Sequence, residues 1–180
     1  MASLQGHGRQ GAAADFQQEL KLDSLGETLS KLSAVKTTPV ESVATAVLTV
    51  DTSGEGFFEI TRDVEAFLKS AQARDGALLL YLKHTSASLV IQENADADVR
   101  TDLVTALKRL APVHAGYVHE VEGPDDMPAH IKSMLNGVSL QVPVADGAMA
   151  LGTWQGIYVA EHRAHPHRRE VILQFLGRCA

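Results

Sequence analysis

Between residues 138 and 151 apolar and polar side chains alternate and the chain then turns back on itself, a pattern that constrains the fold more than any other. Val138, Leu140, Val142 and Val144 alternate with Ser139, Gln141 and Pro143, the period of two that sets one face of a strand against a core and the other in solvent. Asp146-Gly147 follows as a turn, and residues 149–151 and 153–159 read as strands joined by a bend at Gly152, with 171–176 as a closing strand. Connections this short leave no room for crossover helices. The neighbouring strands must therefore run antiparallel.

Upstream, residues 43–50 are rich in β-branched side chains and read as a first strand, followed by a turn at 53–56 and a short strand at 57–60. A helix comes next, with Thr61 as N-cap, Asp63 and Glu65 in its first turn and Val64, Phe67, Leu68 and Ala71 on its apolar face; Arg74-Asp75-Gly76 ends it. Residues 77–83 form a nearly continuous apolar run, expected as a central buried strand, and 88–91 continue extended. Asn94 or Asp96 opens a second helix that turns Val99, Leu103, Leu107 and Leu110 inward and stops before Pro112. Tyr117, His119 and Val121 read as the end of a strand, Gly123-Pro124 as a turn, and Pro128 as the first residue of a short helix. The expectation is an α+β domain over residues 39–180, a mainly antiparallel β-sheet sandwich with two main helices and one short one. Residues 1–38 are expected to be an extension, partly disordered, with short helical pieces between 16 and 32.

With 180 residues, 45% of them hydrophobic, the chain supports one substantial core. Lys and Arg total 16 against 22 for Asp and Glu, so the basic excess expected of a nucleic-acid binder is absent. The single cysteine, Cys179, excludes an intrachain disulfide framework and fits a reducing compartment. No apolar run approaches the roughly 20 residues a membrane span needs, and no basic region precedes an apolar stretch at the N-terminus. A soluble cytoplasmic protein without nucleic-acid or membrane partners is expected.

The stretch 117–133 places two histidines and four carboxylates around the Gly-Pro turn. A strand end facing a helix start lets imidazoles, carboxylates and backbone N–H groups converge, so His119 and His130 are candidate metal ligands, with a third from elsewhere leaving an open position. Asp125 or Asp126 can cap the helix, which frees the other. His84, Ser86 and Ser88 share one face of an extended segment and could orient an anion or a polar heterocycle. Glu93 and Asn94 lie close after them, whereas Asp96 and Asp98 suit helix capping. Trp154, between two glycines, serves equally as core or as a ring stacked on a ligand. In the run Glu161-His162-Arg163, Arg163 is suited to phosphate, whereas Arg168 and Arg169, with His165 and His167, read as an exposed loop.

Together His84-Thr85-Ser86-Ala87-Ser88, Glu93-Asn94, the run 122–132, Gly152-Thr153-Trp154-Gln155-Gly156-Ile157 and Glu161-His162-Arg163 resemble the YjbQ family, also called secondary thiamine-phosphate synthases, over about residues 41–177. The resemblance implies a homotrimer with pockets near subunit contacts and a weak activity that joins a hydroxymethylpyrimidine diphosphate to a thiazole phosphate, releasing pyrophosphate. It also implies a histidine-bound divalent metal, zinc or magnesium. Carried onto this chain, the metal falls to His119 and His130, with His84 and His162 as further ligands or acid/base groups. The expected mechanism neutralises charge on the diphosphate with the ion, binds phosphate oxygens at Arg163, orients the amine or a water with Asp126 or Glu93, and stacks Trp154 on the heterocycle. Ser86, Ser88 and Asn94 complete the expected ligand contacts. The alternatives are a non-catalytic module that binds a phosphorylated metabolite or metal, and a metal-dependent hydrolase.

Overall fold

The structure, a computed structural model, describes residues 32–180, and the expectations for residues 1–31 lie outside them. Lys36–Ala180 forms a compact α+β unit. In chain order its elements are β1 (Ser42–Thr52), β2 (Gly56–Glu59), α1 (Thr61–Ser70), β3 (Ala73–Leu82), β4 (Ala87–Glu93), α2 (Ala97–Leu110), α3 (Asp126–Asn136), β5 (Ser139–Ala145), β6 (Ala148–Met149), β7 (Gln155–Glu161) and β8 (His167–Cys179). They build a five-stranded sheet in the order β1-β8-β3-β5-β6 and a three-stranded sheet in the order β2-β7-β4. Every pairing is antiparallel.

Strand β8 explains how the larger sheet coheres. Arg169, Val171, Leu173 and Phe175 alternate inward along it, while β1 and β3 flank it in register, Val47 and Tyr81 both opposite Ile172. Its inner apolar residues join Leu78, Leu80 and Leu82 of β3, Val142 and Val144 of β5, and Leu89, Ile157 and Val159 of the smaller sheet in one core, which α1 enters through Val64 and Leu68. Burying a side chain of this size contributes on the order of 2 kcal/mol before entropy.

Several local expectations are corrected. Thr61 begins α1 instead of capping it: its hydroxyl donates to Glu59 Oε1 and accepts from Ile157 N–H, tying the helix start to the smaller sheet. Arg74-Asp75-Gly76 lies inside β3, because α1 already ends at Ala71-Gln72, where Gln72 adopts a φ of 53°. Of the two residues expected to open α2, Asp96 does so: it is the N-cap and accepts from Asp98 N–H at 2.8 Å. No residue of α2 is buried and Leu110 stands exposed, the helix lying against α3 and β2, an edge strand of the smaller sheet. Residues 117–121 form no strand; they find no partner strand among the described residues, and Val118 and Val121 project into solvent. The third helix starts at Asp126, and Pro128 sits within its first turn, where no intrahelical N–H is required. His167 to Arg169 belong to β8, so the loop expected there is three residues shorter than the sequence suggests.

Candidate metal centre

The turn before α3 is made by Gly123 at a φ of 106°, a left-handed conformation that a side chain would strain. Its carbonyl accepts the Asp126 N–H at 3.2 Å, which starts the helix there. Asp126 and His130 are four residues apart in α3 and so share one face. The preceding loop brings His119 to the same point. His119 Nε2 lies 2.8 Å and His130 Nε2 3.3 Å from Asp126 Oδ2, and one ligating atom from each residue falls within 4.8 Å of the others.

Two of the three members, His130 and Asp126, are oriented by a further contact. The His130 Nδ1–H donates to the Thr85 carbonyl at 3.0 Å, which leaves Nε2 as the unprotonated nitrogen facing Asp126. Asp126, only 1% exposed, accepts at Oδ1 from Arg163 Nη1. Arg163 also donates from Nε to Asp125 Oδ2 at 3.1 Å and from Nη2 to the Glu122 carbonyl at 2.6 Å. Asp125 stands at the N-cap position without capping; its Oδ2 accepts the Ala164 N–H at 2.8 Å instead. Burial would raise the Asp125 carboxyl, but the hydrogen bonds from Ala164 and Arg163 outweigh it and hold the group below its ordinary pKa.

Two imidazole nitrogens and a carboxylate oxygen, with His130 and Asp126 held in orientation by neighbours, are a donor set that could hold a divalent metal with open positions. They suit zinc better than magnesium, which prefers oxygen ligands and keeps its water.

The other sequence candidates divide among three further places. His84 is outside the three-residue group: its Nε2 accepts the Glu170 N–H at 2.9 Å, and it shares a cleft of about 680 Å³ with His130, Tyr81 and Met134. Burial, and then the charge of Arg169, hold its pKa below the ordinary value. Ser86 Oγ accepts from Arg169 at 3.1 Å. Ser88 is fully buried and bonded to His162 Nε2 at 2.8 Å. Glu93, Asn94 and Trp154 gather at the far end of β4, where Asn94 N–H donates to the Trp154 carbonyl. Six residues of strand separate Ala87 from Glu93, roughly 20 Å. Trp154 is 64% exposed there.

Two features escaped the sequence reading. Arg169, taken for a loop residue, is 3% exposed and forms a two-point ion pair with Glu161, Nε to Oε2 at 2.7 Å and Nη2 to Oε1 at 2.6 Å. Alternation within 167–175 was the available signal. Asp126 was assigned to substrate and not to the metal, although Asp-x-x-x-His at helical spacing was legible.

Comparison with known proteins bears on the whole arrangement. A family model described as UPF0047 protein YjbQ-like matches residues 46–178. The chain is 44% identical over 131 residues to a UPF0047 protein YjbQ of Salmonella typhimurium, covering 72% of this chain and 95% of that protein. A UPF0047 protein of Synechocystis is 42% identical over 132 residues, 73% of this chain and 90% of that one. Among solved structures, an uncharacterised conserved protein of Clostridium acetobutylicum superposes with a TM-score of 0.68 at 36% identity, covering 72% of this chain and 98% of that chain.

Proposed function

The chain belongs to the YjbQ family, and from that premise we propose that it is a divalent-metal enzyme acting on small phosphorylated heterocycles. Its secondary activity in this reading is the coupling of a hydroxymethylpyrimidine diphosphate to a thiazole phosphate. The observation that carries the proposal is the convergence of His119 Nε2, Asp126 Oδ2 and His130 Nε2. These three residues would hold a divalent ion, which would supply Lewis acidity toward diphosphate oxygens.

The protein groups hold and orient. His130 keeps its proton on Nδ1 through Thr85 and so presents Nε2 to the ion. His119 donates its Nε2–H to Asp126 and would have to give up that proton to hold an ion through Nε2. Arg163 is engaged by Asp125, Asp126 and the Glu122 carbonyl, and its role in this reading is to fix Asp126, not to grip substrate phosphate. The cleft beside His130 offers the substrate Tyr81, Met134 and His84. Neutral His84 accepts at Nε2 and therefore offers Nδ1–H as a donor.

The reading includes a homotrimer and a cytoplasmic setting. Val43, Val47 and Tyr81, each more than half exposed, stand on the outer face of the five-stranded sheet and offer an apolar surface for a second copy. Among the described residues no helix is long and apolar enough to cross a membrane.

Elemental mass spectrometry is expected to find near-stoichiometric divalent metal in the purified protein, lost together with turnover in His119→Ala, Asp126→Ala and His130→Ala while circular dichroism is unchanged. Undiminished metal in those variants would sink the assignment. A metal-dependent hydrolase is the second reading, favoured by the engagement of Arg163, the cation nearest the centre, with carboxylates. Pyrophosphate release without coupled product would select it.

A further inference from the structure

A separate cavity of about 400 Å³ opens between the Glu55 loop, the end of α2 and the side of α3, and none of His119, Asp126 and His130 lines it. His162, on its wall, is 3% exposed. Asn136 Nδ2 donates to Ser88 Oγ at 3.3 Å, and the buried Ser88 hydroxyl, which has no other acceptor for its proton among the described residues, pairs with His162 Nε2 at 2.8 Å. Burial, then the charge of Lys132, holds the imidazole at a pKa of about 4, so it is neutral and its one ring proton sits on Nδ1. Nδ1 has no hydrogen-bond partner among the described residues. Since no side-chain polar atom there is both sealed off and unsatisfied, Nδ1 faces the open cavity.

Lys132 is 3% exposed and donates to Glu55 Oε1 at 2.6 Å, which leaves two ammonium protons uncommitted. Lys108, at the exposed mouth, reaches Glu55 Oε2 at 2.8 Å. The Asp125 carboxylate on the same wall is taken up by Arg163 and the Ala164 N–H. What remains is a surplus of donors and two ammoniums against the one carboxylate of Glu55, beside apolar walls from Pro112 and Pro128. An imidazole N–H and an ammonium that open into a cavity are placed to meet an acceptor there.

We propose that this cavity is a second ligand site, separate from the metal centre, which takes the oxyanion of a small organic phosphate or carboxylate between Lys132 and the His162 Nδ1–H. Lys108 draws the anion in, and Glu55 competes with it for both ammoniums. The volume suits a ligand of a few carbons or one ring.

The test uses full-length, metal-stripped protein titrated with phenyl phosphate and, in parallel, benzoate, followed by calorimetry and by the imidazole NMR signals of His162. Saturable binding is expected, strengthened about fivefold in Glu55→Gln and weakened about fivefold in the exposed Lys108→Ala. It is expected to be unchanged in His130→Ala. Tighter phenyl phosphate identifies an organophosphate site, and tighter benzoate an organic-acid site. Absence of saturable binding to both wild type and Glu55→Gln would overturn the proposal, as would binding that disappears with His130.

Discussion

Arg163 shows how one side chain can matter to a site without facing its ligand. Its guanidinium bridges Asp125, Asp126 and the Glu122 carbonyl, so the free oxygen of Asp126 is left aimed at the two imidazoles. A lysine keeps the charge and loses the fork. Arg163→Lys is expected to lower metal affinity about tenfold with the fold retained, measured by competition with a chromophoric chelator. His162 carries a prediction of a different kind. Its pKa lies at about 4 in the folded protein against 6.5 ordinarily, so between these values the unfolded chain binds the extra proton and stability falls as pH falls. The loss approaches about 3 kcal/mol at the acid end of that window. Urea titrations at pH 7 and pH 5 are expected to show the decline, and His162→Gln is expected to flatten it, leaving the smaller share of His84, whose pKa is also lowered.

At the scale of elements, the tightest constraint is the crossing of β3 and β8. Gly76 and Gly177 stand opposite one another beside a register shift in β3. A Cβ on Gly76 would fall 2.2 Å from the Leu176 carbonyl oxygen and 2.8 Å from the Gly177 Cα, and these are backbone atoms that cannot rotate away. Gly76→Ala is therefore expected to lower stability by about 2 kcal/mol or more, read as a fall in Tm. Helix α3 is the other decisive element. It begins two residues before Pro128, which puts Asp126 rather than a cap at its first position and His130 one turn later. The metal centre depends on that start.

Across the whole molecule, one buried polar network joins the two sheets. Glu161 of β7 receives the Arg169 guanidinium from β8, the Thr52 hydroxyl from β1 at 2.8 Å, and the N–H groups of His162 and Arg163. Burial would raise the Glu161 carboxyl, yet these donors outweigh it and hold the group ionised, below its ordinary pKa. Glu161→Gln leaves a buried guanidinium without its counter-charge and is expected to cost about 3 kcal/mol by chemical denaturation. The strand end carrying Glu161 also carries His162 and Arg163, so the loss is expected to reach both the metal centre and the cavity beside it.

The sequence by itself determined the antiparallel strands, the α+β class and the family, because period-two alternation, turn residues and short connections act over a few neighbours and survive any later packing. It also marked His119 and His130, through the density of ligating groups around one turn. Only the tertiary structure decided that Asp126 stands with them, that Arg163 faces carboxylates instead of a phosphate, and that Arg169 is buried. It likewise separated His84, the Ser88–His162 pair and the Glu93–Asn94–Trp154 group into different places. Those outcomes rest on contacts between residues tens of positions apart, Arg169 with Ser86 or Lys132 with Glu55. Local periodicity holds no information about which distant partner a charged side chain will meet. The physical reason is that a buried charge is placed by its counter-charge, and that partner is chosen by the packing of two sheets.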